Sequence, residues 1–231
     1  MSGFDWQKIV VDSIPSVLSG LIIALIVYGL DERRAKRDRM LSDFRIASNW
    51  EVSSPKPSMR NFHLSGENLS GYDLSNANLE NADLSKAGLW ATNLSRANLR
   101  GTDFRGAELV GTILKGAVAI HAKFSRAVVR PHKYPDLDQN PDFSNASFIA
   151  CDFQNARLEE VIFLGANFCR ADFSVATLVK CDFTGADLSE SKWRKVRRVE
   201  NCTWKKVKGI SPDNFPLELL KEIEKQNAKR G

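Results

Sequence analysis

A large apolar residue recurs every five positions through the middle of the chain. The period is clearest from residue 69 to residue 114, where ten consecutive units have Leu or Phe at the same place: Leu69, Leu74, Leu79, Leu84, Leu89, Leu94, Leu99, Phe104, Leu109 and Leu114. A small residue, Ala or Thr, stands two positions before each of the last eight, and the residue between is usually Asn or Asp. Because a period of five fits neither an α-helix nor a flat strand, the pattern indicates an internal repeat.

Each unit has only two inward positions, the small residue and the Leu or Phe, so a single unit cannot bury itself and must stack on copies. A chain that turns a corner after every unit returns to the same side after four units. Successive coils then pair through their backbones at about 4.8 Å, the ordinary strand spacing. The pattern therefore predicts that Leu74 stacks on Leu94 and Leu94 on Leu114, with Asn and Asp at the corners, where they bond to local backbone.

The same repeat returns near residue 143 with Phe at most of its centres: Phe143, Phe148, Phe153, Leu158, Phe163, Phe168, Phe173, Leu178, Phe183, Leu188 and Trp193. The period predicts columns of aromatic rings such as Phe153, Phe173 and Trp193, in which ring stacking adds to the burial of apolar surface. One extra residue then shifts the frame, and Val199 and Trp204 are the last predicted centres.

Residues 130–141, RPHKYPDLDQNP, interrupt the repeat with three prolines. This segment cannot form the side of a coil, so we predict a loop that projects from it. Loops on rigid scaffolds often carry function, which makes His132 and Tyr134 candidate contact residues. The alternative is a tolerated insertion without a role.

These units resemble the pentapeptide-repeat proteins, whose pattern is A(D/N)Lxx. The resemblance covers residues 62–193 with one break, and a degraded end to about residue 206. It implies an all-β solenoid of one kind, a right-handed quadrilateral β-helix. It does not imply one activity, because the family includes gyrase inhibitors as well as many chains of other or unknown roles.

The segment from residue 13 to residue 30, SIPSVLSGLIIALIVYGL, has no charged residue and is about as long as a bilayer requires. Cations then follow on its C-terminal side: Arg33, Arg34, Lys36, Arg37 and Arg39. The positive-inside rule predicts a single-pass protein of the inner (plasma) membrane, with the N-terminus outside and the repeat domain in the cytoplasm. The alternative is a buried core helix. Ser16, Gly20 and Ala24 recur every four residues and are the predicted packing residues of this transmembrane helix.

The end coils of a solenoid expose apolar surface and unpaired edges unless something covers them. A juxtamembrane helix is predicted to cover the first coil or to lie on the membrane, through Met40, Leu41, Phe44 and Ala47. Beyond the repeats, Pro216 suits the first position of a C-terminal capping helix whose apolar face is Leu217, Leu220 and Ile223. The predicted organisation is therefore a tail (1–12), a transmembrane helix (13–30), a juxtamembrane helix and linker (31–60), the β-helix (61–206) and a capping helix with its tail (207–231).

The formal net charge is +5, but residues 61–210 carry 20 basic and 17 acidic residues, a net of only +3. A protein that imitates DNA needs a strongly acidic surface, which this repeat lacks. Cations do cluster in sequence near the end of the repeats: Lys192, Arg194, Lys195, Arg197, Arg198, Lys205, Lys206 and Lys208. They form a candidate binding patch for an anion or an acidic partner, the alternative being a solvated end coil.

Little in the sequence indicates catalysis. The cysteines, Cys151, Cys169, Cys181 and Cys202, have no metal-binding or redox spacing, and we interpret them as mostly small buried residues. The histidines have no ligand spacing, and no nucleotide-binding or nucleophile motif occurs. We therefore predict no enzyme, no metal site and no cofactor.

The leading hypothesis is a membrane-anchored scaffold or protein-interaction module that faces the cytoplasm. The second is an oligomerising membrane effector, of toxin or antiviral-defence type, that perturbs or opens the bilayer. The third, topoisomerase inhibition by DNA mimicry, rests on the resemblance alone. The expected partners are the membrane, a protein of unidentified kind and further copies of the chain, and nucleic acid is not expected.

Overall fold

The computed structural model describes residues 28–50, 53, 56–134 and 137–228, without the side chains of residues 134, 137 and 138. The chain divides into two compact units, Met1–Ser42 and Asp43–Gly231. A helix, α1, is described from residue 28 to residue 48. The second unit contains all the repeats.

The prediction of a single-pass inner-membrane protein is wrong. None of the helices in the described ranges combines the length and the apolar character that crossing a bilayer requires. The described part of α1 shows why, because its apolar start at Tyr28 and Leu30 gives way at once to exposed charged residues such as Arg33 and Arg34. The rest of the predicted span, including Ser16, Gly20 and Ala24, lies outside the described residues.

The second unit is a solenoid whose coils pair in parallel. Bridges join residues 20 positions apart, for example Asp83 to Asp103 and Asp103 to Lys123. Four such columns run through the unit, one for each five-residue side of a coil. The strands in the described residues are β1 (Glu108–Val110), β2 (Val128–Arg130), β3 (His132–Tyr134), β4 (Leu137–Gln139), β5 (Arg157–Glu159), β6 (Thr177–Val179) and β7 (Arg198–Glu200). Five of them form one parallel sheet in the order β1-β2-β5-β6-β7, and β3 pairs with β4 in an antiparallel hairpin.

The centre residues of the repeats form the core, as predicted. The rings of Phe153 and Phe173 lie parallel with centroids 5.0 Å apart, and Trp193 stacks on Phe173 at 4.3 Å. Thr92, Thr102 and Thr112 take the small inward position and are fully buried. Each of these hydroxyls donates to a carbonyl oxygen of the preceding coil, at 2.6 to 2.9 Å. The narrow interior therefore tolerates a buried hydroxyl where a carbonyl oxygen is close enough to accept its hydrogen bond.

The corners differ from the prediction. The residue two positions after a centre has a positive φ, and it is often not Asn or Gly, as Lys86 (59°) and Ala91 (53°) show. The Asn and Asp residues lie instead on the ladder, just before the centre. Their side chains accept the backbone N–H two residues on, as Asp73 accepts that of Ser75 at 3.0 Å. This local hydrogen bond stabilises the turn that follows the Asn or Asp. The following coil stabilises the residue with positive φ in its left-handed conformation.

At its N-terminal end the solenoid begins earlier than the sequence indicates. Met59 is fully buried as a centre residue, although no Asn or Asp precedes it. Ala47, near the end of α1, and Trp50, just after it, cover this coil, while Leu41 of the predicted apolar face is 56% exposed. Asp43 accepts the backbone N–H of His63 at 2.8 Å and so satisfies an edge donor of the first coil.

At the other end, α2 (Leu217–Ala228) covers the last coil. Its buried residues are Leu219 and Ile223, whereas Leu217 is 69% exposed, so the predicted face was wrong at that position. Phe215 precedes the helix and stacks on Trp193 at 5.2 Å. Phe215 and Leu219 belong to the same buried core, whereas Leu217 does not.

Candidate functional site

The only interruption of the ladder in the described residues is the hairpin β3–β4. Strand β2 pairs directly with β5, Val128 with Arg157 and Val129 with Leu158, although the hairpin separates them in sequence. The predicted projecting loop is therefore an ordered antiparallel pair, with His132 opposite Gln139. The coil passes beneath it without losing its register.

The hairpin lies directly on the coil before it, at Gly111. A Cβ atom on Gly111 would be 2.7 Å from the Cβ of His132, too close for a real contact, and 3.3 Å from the carbonyl oxygen of Gln139, a tight contact. Gly111 also has a φ of 64°, which disfavours larger residues. Glycine here permits the close approach of the base of the hairpin.

An ion pair fixes the hairpin to the coil that follows it. Glu160 Oε1 accepts hydrogen bonds from Lys180 Nζ at 3.0 Å and from Lys133 Nζ of β3 at 3.4 Å. The bond from Lys180, assisted by Lys133, lowers the pKa of Glu160, and the same pair raises the pKa of Lys180. The glutamate therefore stays ionised and joins two segments that are distant in sequence.

The hairpin and the parallel sheet together enclose a cavity of about 250 Å³, which we call the hairpin hollow. Its lining comes from four successive coils and from the base of the hairpin: Trp90, Val110, Arg130, Pro131, His132, Lys133 and Glu159. Trp90, Val110, Arg130 and Glu159 occupy the same position of their units, one per coil. The hollow therefore combines the regular sheet with the hairpin that is inserted between β2 and β5.

Trp90 forms the aromatic wall of the hollow. Its indole N–H donates to Glu108 Oε2 at 3.0 Å, which fixes the ring, yet 36% of the residue remains exposed. Val110 is 3% exposed and forms the floor. A fixed, exposed indole above an aliphatic floor is suited to contact with a flat or aliphatic group.

Arg130 and Glu159 provide opposite charges at the rim. Both residues are exposed, and in the described part of the chain neither side chain has an ion-pair or hydrogen-bond partner. A free guanidinium can bind a carboxylate through two parallel hydrogen bonds. The rim can therefore bind charged groups of either sign beside the indole ring.

Of the predicted loop contacts, the structure places His132 at the hollow, half-buried and engaged in an interaction. Tyr134 lies in β3, but its side chain is outside the described part. Sequence reasoning missed Trp90, Gly111, Arg130 and Glu159. Trp90 did carry a signal, because a Trp stands at an outward position where most units have a polar residue.

The structure does not bring the predicted basic patch together. Lys192, Arg198 and Lys208 follow Asp172, Thr177 and Asp187 on three different columns of the ladder. Arg198 is paired with Glu200, Lys192 Nζ lies 3.9 Å from Asp172, and Arg194 donates to the carbonyl oxygen of Asp213. Lys195, Arg197, Lys205 and Lys206 are exposed elsewhere around the last coil. The eight cations therefore surround the coil and share no single surface.

Within the described ranges, no group of three or more His, Cys, Asp or Glu residues is arranged to hold a metal ion. The thiols of Cys151, Cys181 and Cys202 are buried, whereas Cys169 is half-buried on an outward position. Burial raises the pKa of the Cys151 thiol, which keeps it protonated.

The chain matches the family model described as pentapeptide repeats, in eight copies over residues 58–90, 92–130, 141–163 and 151–190. The chain belongs to the pentapeptide-repeat family. The match begins beside Met59, in agreement with the early start of this pentapeptide-repeat solenoid, and it is interrupted at the hairpin. Among curated protein sequences, no significant match is found.

Several solved structures are similar to this pentapeptide-repeat protein. A trypsin-treated variant of QnrB1, a plasmid-mediated fluoroquinolone resistance protein, has 17% identity over 71% of this chain and 90% of that chain, with a TM-score of 0.40. A pentapeptide repeat protein from the thylakoid lumen of Arabidopsis thaliana has 27% identity over 53% and 69%, with a TM-score of 0.27. HetL, a pentapeptide repeat protein involved in the regulation of heterocyst differentiation in the cyanobacterium Nostoc, has 26% identity over 68% and 86%, with a TM-score of 0.23.

Proposed function

We propose that this pentapeptide-repeat protein is a protein-interaction module that binds its partner at the hairpin hollow. The observation that carries the proposal is the coincidence of three features at the hairpin β3–β4. An exposed, fixed Trp90 faces a concave site, and the side chains of Arg130 and Glu159 at its rim have no ion-pair or hydrogen-bond partner among the described residues. Aromatic residues and arginine in a concave site are typical of the residues that dominate protein interfaces.

The chemistry of the hollow defines the partner. The ring of Trp90 and the floor at Val110 suit an aromatic or aliphatic side chain, and Arg130 suits a carboxylate beside it. A cavity of about 250 Å³ accommodates one or two side chains. The partner is therefore a protein segment in which an acidic residue is next to a large apolar one.

The other two hypotheses have no structural observation in their favour. The membrane-effector hypothesis depends on residues 13–27, which lie outside the described residues. Topoisomerase inhibition by DNA mimicry requires an acidic surface, and the repeat region has a net charge of +3, from 20 basic and 17 acidic residues. The prediction that the protein is not an enzyme stays a prediction.

Photo-crosslinking in the native host cell tests the proposal. A photoreactive residue at position 159 lies on the rim of the hollow, and one at position 154 is equally exposed but outside the hollow. We expect a discrete protein adduct from position 159 that is absent from position 154. Adding Trp90→Ala should remove the adduct, because the aromatic wall is lost while the coil keeps its core.

Mass spectrometry of the adduct would then show whether the attached segment has an acidic residue next to an apolar one. The same adduct from positions 159 and 154, or an adduct that survives Trp90→Ala, would contradict binding at the hollow. No protein adduct from either position would contradict the interaction function itself.

A further inference from the structure

Cys181 and Cys202 occupy equivalent positions in adjacent coils. Each stands two residues before a centre, and the bridge that follows pairs Asp182 with Thr203. The two centres, Phe183 and Trp204, stack with their rings 4.6 Å apart and nearly parallel. The spacing of 21 residues hides this alignment in the sequence, because the last coil has one residue more than the regular coils, whose bridges join residues 20 positions apart.

The backbone geometry brings the two cysteines within reach of a covalent bond. The N–H of Thr203 donates to the carbonyl oxygen of Cys181 at 2.9 Å, so the two chains are paired next to the cysteines. Paired strands lie about 4.8 Å apart, which falls within the range of about 4.4–6.8 Å between the Cα atoms of a disulfide. Only a small shift of the last coil is needed to form the bond.

The two thiols have equivalent places in their coils. The thiol of Cys181 contacts the carbonyl oxygen of Val179, and that of Cys202 contacts the carbonyl oxygen of Glu200, each at 3.6 Å; the thiol of Cys181 also contacts the carbonyl oxygen of Leu158 at 3.4 Å. Val179 and Glu200 are themselves register partners. Interaction with the neighbouring thiol lowers the pKa of Cys202, while burial raises the pKa of Cys181.

The other inward cysteine provides a contrast. Cys151 has the same position in its unit and is equally buried, but its neighbours in the column are Ala122 and Ala171. Cys169 is on an outward position of a different side. The arrangement of two adjacent thiols is therefore specific to the last two coils.

We propose that Cys181 and Cys202 are the site of an intramolecular disulfide that links the last two coils. The oxidant is a low-molecular-weight disulfide. The thiolate of Cys202 attacks one of its sulfurs and releases a small thiol, and the thiolate of Cys181 then attacks Cys202 and releases the second. The protein loses two hydrogens to form one S–S bond, and the oxidant is reduced to two thiols.

Helix α2 controls access to this site. Cys202 is 2% exposed, and its carbonyl oxygen accepts a hydrogen bond from Gln226 Nε2 of α2 at 2.9 Å. The oxidant can reach the thiol only when α2 leaves the last coil. Reaction therefore depends on local opening at this end, and the disulfide then closes a loop that restrains the last coil.

The test uses the full chain, treated with oxidised glutathione and then alkylated under denaturing conditions. We expect a peptide map with Cys181 joined to Cys202, and two thiols fewer available for alkylation. In Cys151→Ser, oxidation should remove the same two thiols, those of Cys181 and Cys202. Cys181→Ser and Cys202→Ser should not form this bond. Gln226→Ala should accelerate the reaction several-fold, because it weakens the attachment of α2.

The map of the unmodified chain decides the question even if a serine variant fails to fold. A disulfide that involves Cys169 or joins two chains, without the Cys181–Cys202 bond, would overturn the proposal. So would retention of all four alkylatable thiols in both the unmodified chain and Gln226→Ala.

Discussion

The side-chain amide of Gln226 takes the place of a peptide group beside Trp204. The backbone N–H of Trp204 donates to Gln226 Oε1 at 2.9 Å, and Gln226 Nε2 donates to the carbonyl oxygen of Cys202 at 2.9 Å. One coil earlier, a backbone segment makes the equivalent pair of bonds, from Phe183 N–H to Thr203 and from Thr203 N–H to Cys181. The helix thus continues the hydrogen bonding of the ladder and closes an edge that would otherwise pair with another chain.

Gln226→Ala should therefore destabilise the protein. It leaves the N–H of Trp204 and the carbonyl of Cys202 without partners at a half-buried edge, and the expected loss is about 1–3 kcal/mol in the free energy of unfolding. Chemical denaturation measures it. Gln226→Glu should have an intermediate effect, because a carboxylate still accepts from Trp204 but cannot donate to Cys202.

Glu224→Ala is the matched control, since Glu224 is exposed on the same helix. It should change the free energy of unfolding by less than about 0.5 kcal/mol. Equal effects of the alanine variants at 224 and 226 would show that the amide has no special role.

The five-residue period predicted the core residue by residue, because every unit presents the same inward pair. It could not predict the ends, where no pattern repeats. Met59 escaped notice since its unit has Ser58, not Asn or Asp, before the centre. The face of α2 was predicted correctly at Ile223 but included the exposed Leu217 in place of the buried Leu219, because the helix offers several adjacent apolar residues.

Gly111→Ala and Gly116→Ala form a matched pair that isolates the contact with the hairpin. Both glycines have nearly the same φ, 64° and 66°, so both variants should lose similar stability from backbone strain. A Cβ on Gly116 would meet its nearest atom, in Arg96, at 3.6 Å, whereas on Gly111 it would meet His132 at 2.7 Å. Gly111→Ala should be less stable than Gly116→Ala by about 1–3 kcal/mol, the usual cost of overpacking.

Limited proteolysis complements the stability measurement. Cleavage within residues 131–140 should be faster in Gly111→Ala than in Gly116→Ala, because the base of the hairpin can no longer lie on the coil. Identical stability and identical cleavage in the two variants would contradict the close packing at Gly111.

The hairpin hollow shows the limit of the sequence. The three prolines located the break in the repeat, and that prediction needed only local chemistry. The enclosure of Trp90 and Arg130 in one cavity depends on which coils the hairpin covers, and no periodic signal specifies this. The coil beneath the hairpin differs from the others only in that Gly111 leaves room for the hairpin. Glycine is common at that position of the repeat, so Gly111 gives no signal in the sequence.

Thr102→Val should cost about 1 kcal/mol in the free energy of unfolding, since the hydroxyl of Thr102 donates to Leu79 in the fully buried interior. Valine has a similar shape, so the loss reports the hydrogen bond rather than a cavity. Thr177→Val, on an outward position of β6, is the control and should be nearly neutral. A Thr102→Val variant as stable as the control would mean that the buried carbonyl of Leu79 does not need this donor.

The last prediction concerns acid and the ion pair of Glu160. The hydrogen bond from Lys180, with that from Lys133, lowers the pKa of Glu160 in the folded protein relative to the unfolded chain. A carboxylate with a lowered pKa contributes its full stabilisation above the unfolded value of about 4.3 and loses it as the pH falls through the folded value. Acid should therefore weaken the attachment of the hairpin through Lys133.

The stability of the unmodified chain and of Glu160→Gln, measured from about pH 7 down to about pH 3, isolates this titration, because the other carboxylates are common to both. The difference in free energy of unfolding should be constant near neutral pH and should shrink below about pH 4.3. Cleavage of the hairpin by an acid protease should rise in parallel in the unmodified chain only. A difference that stays constant down to the lowest pH would show that the ionised Glu160 does not hold the hairpin.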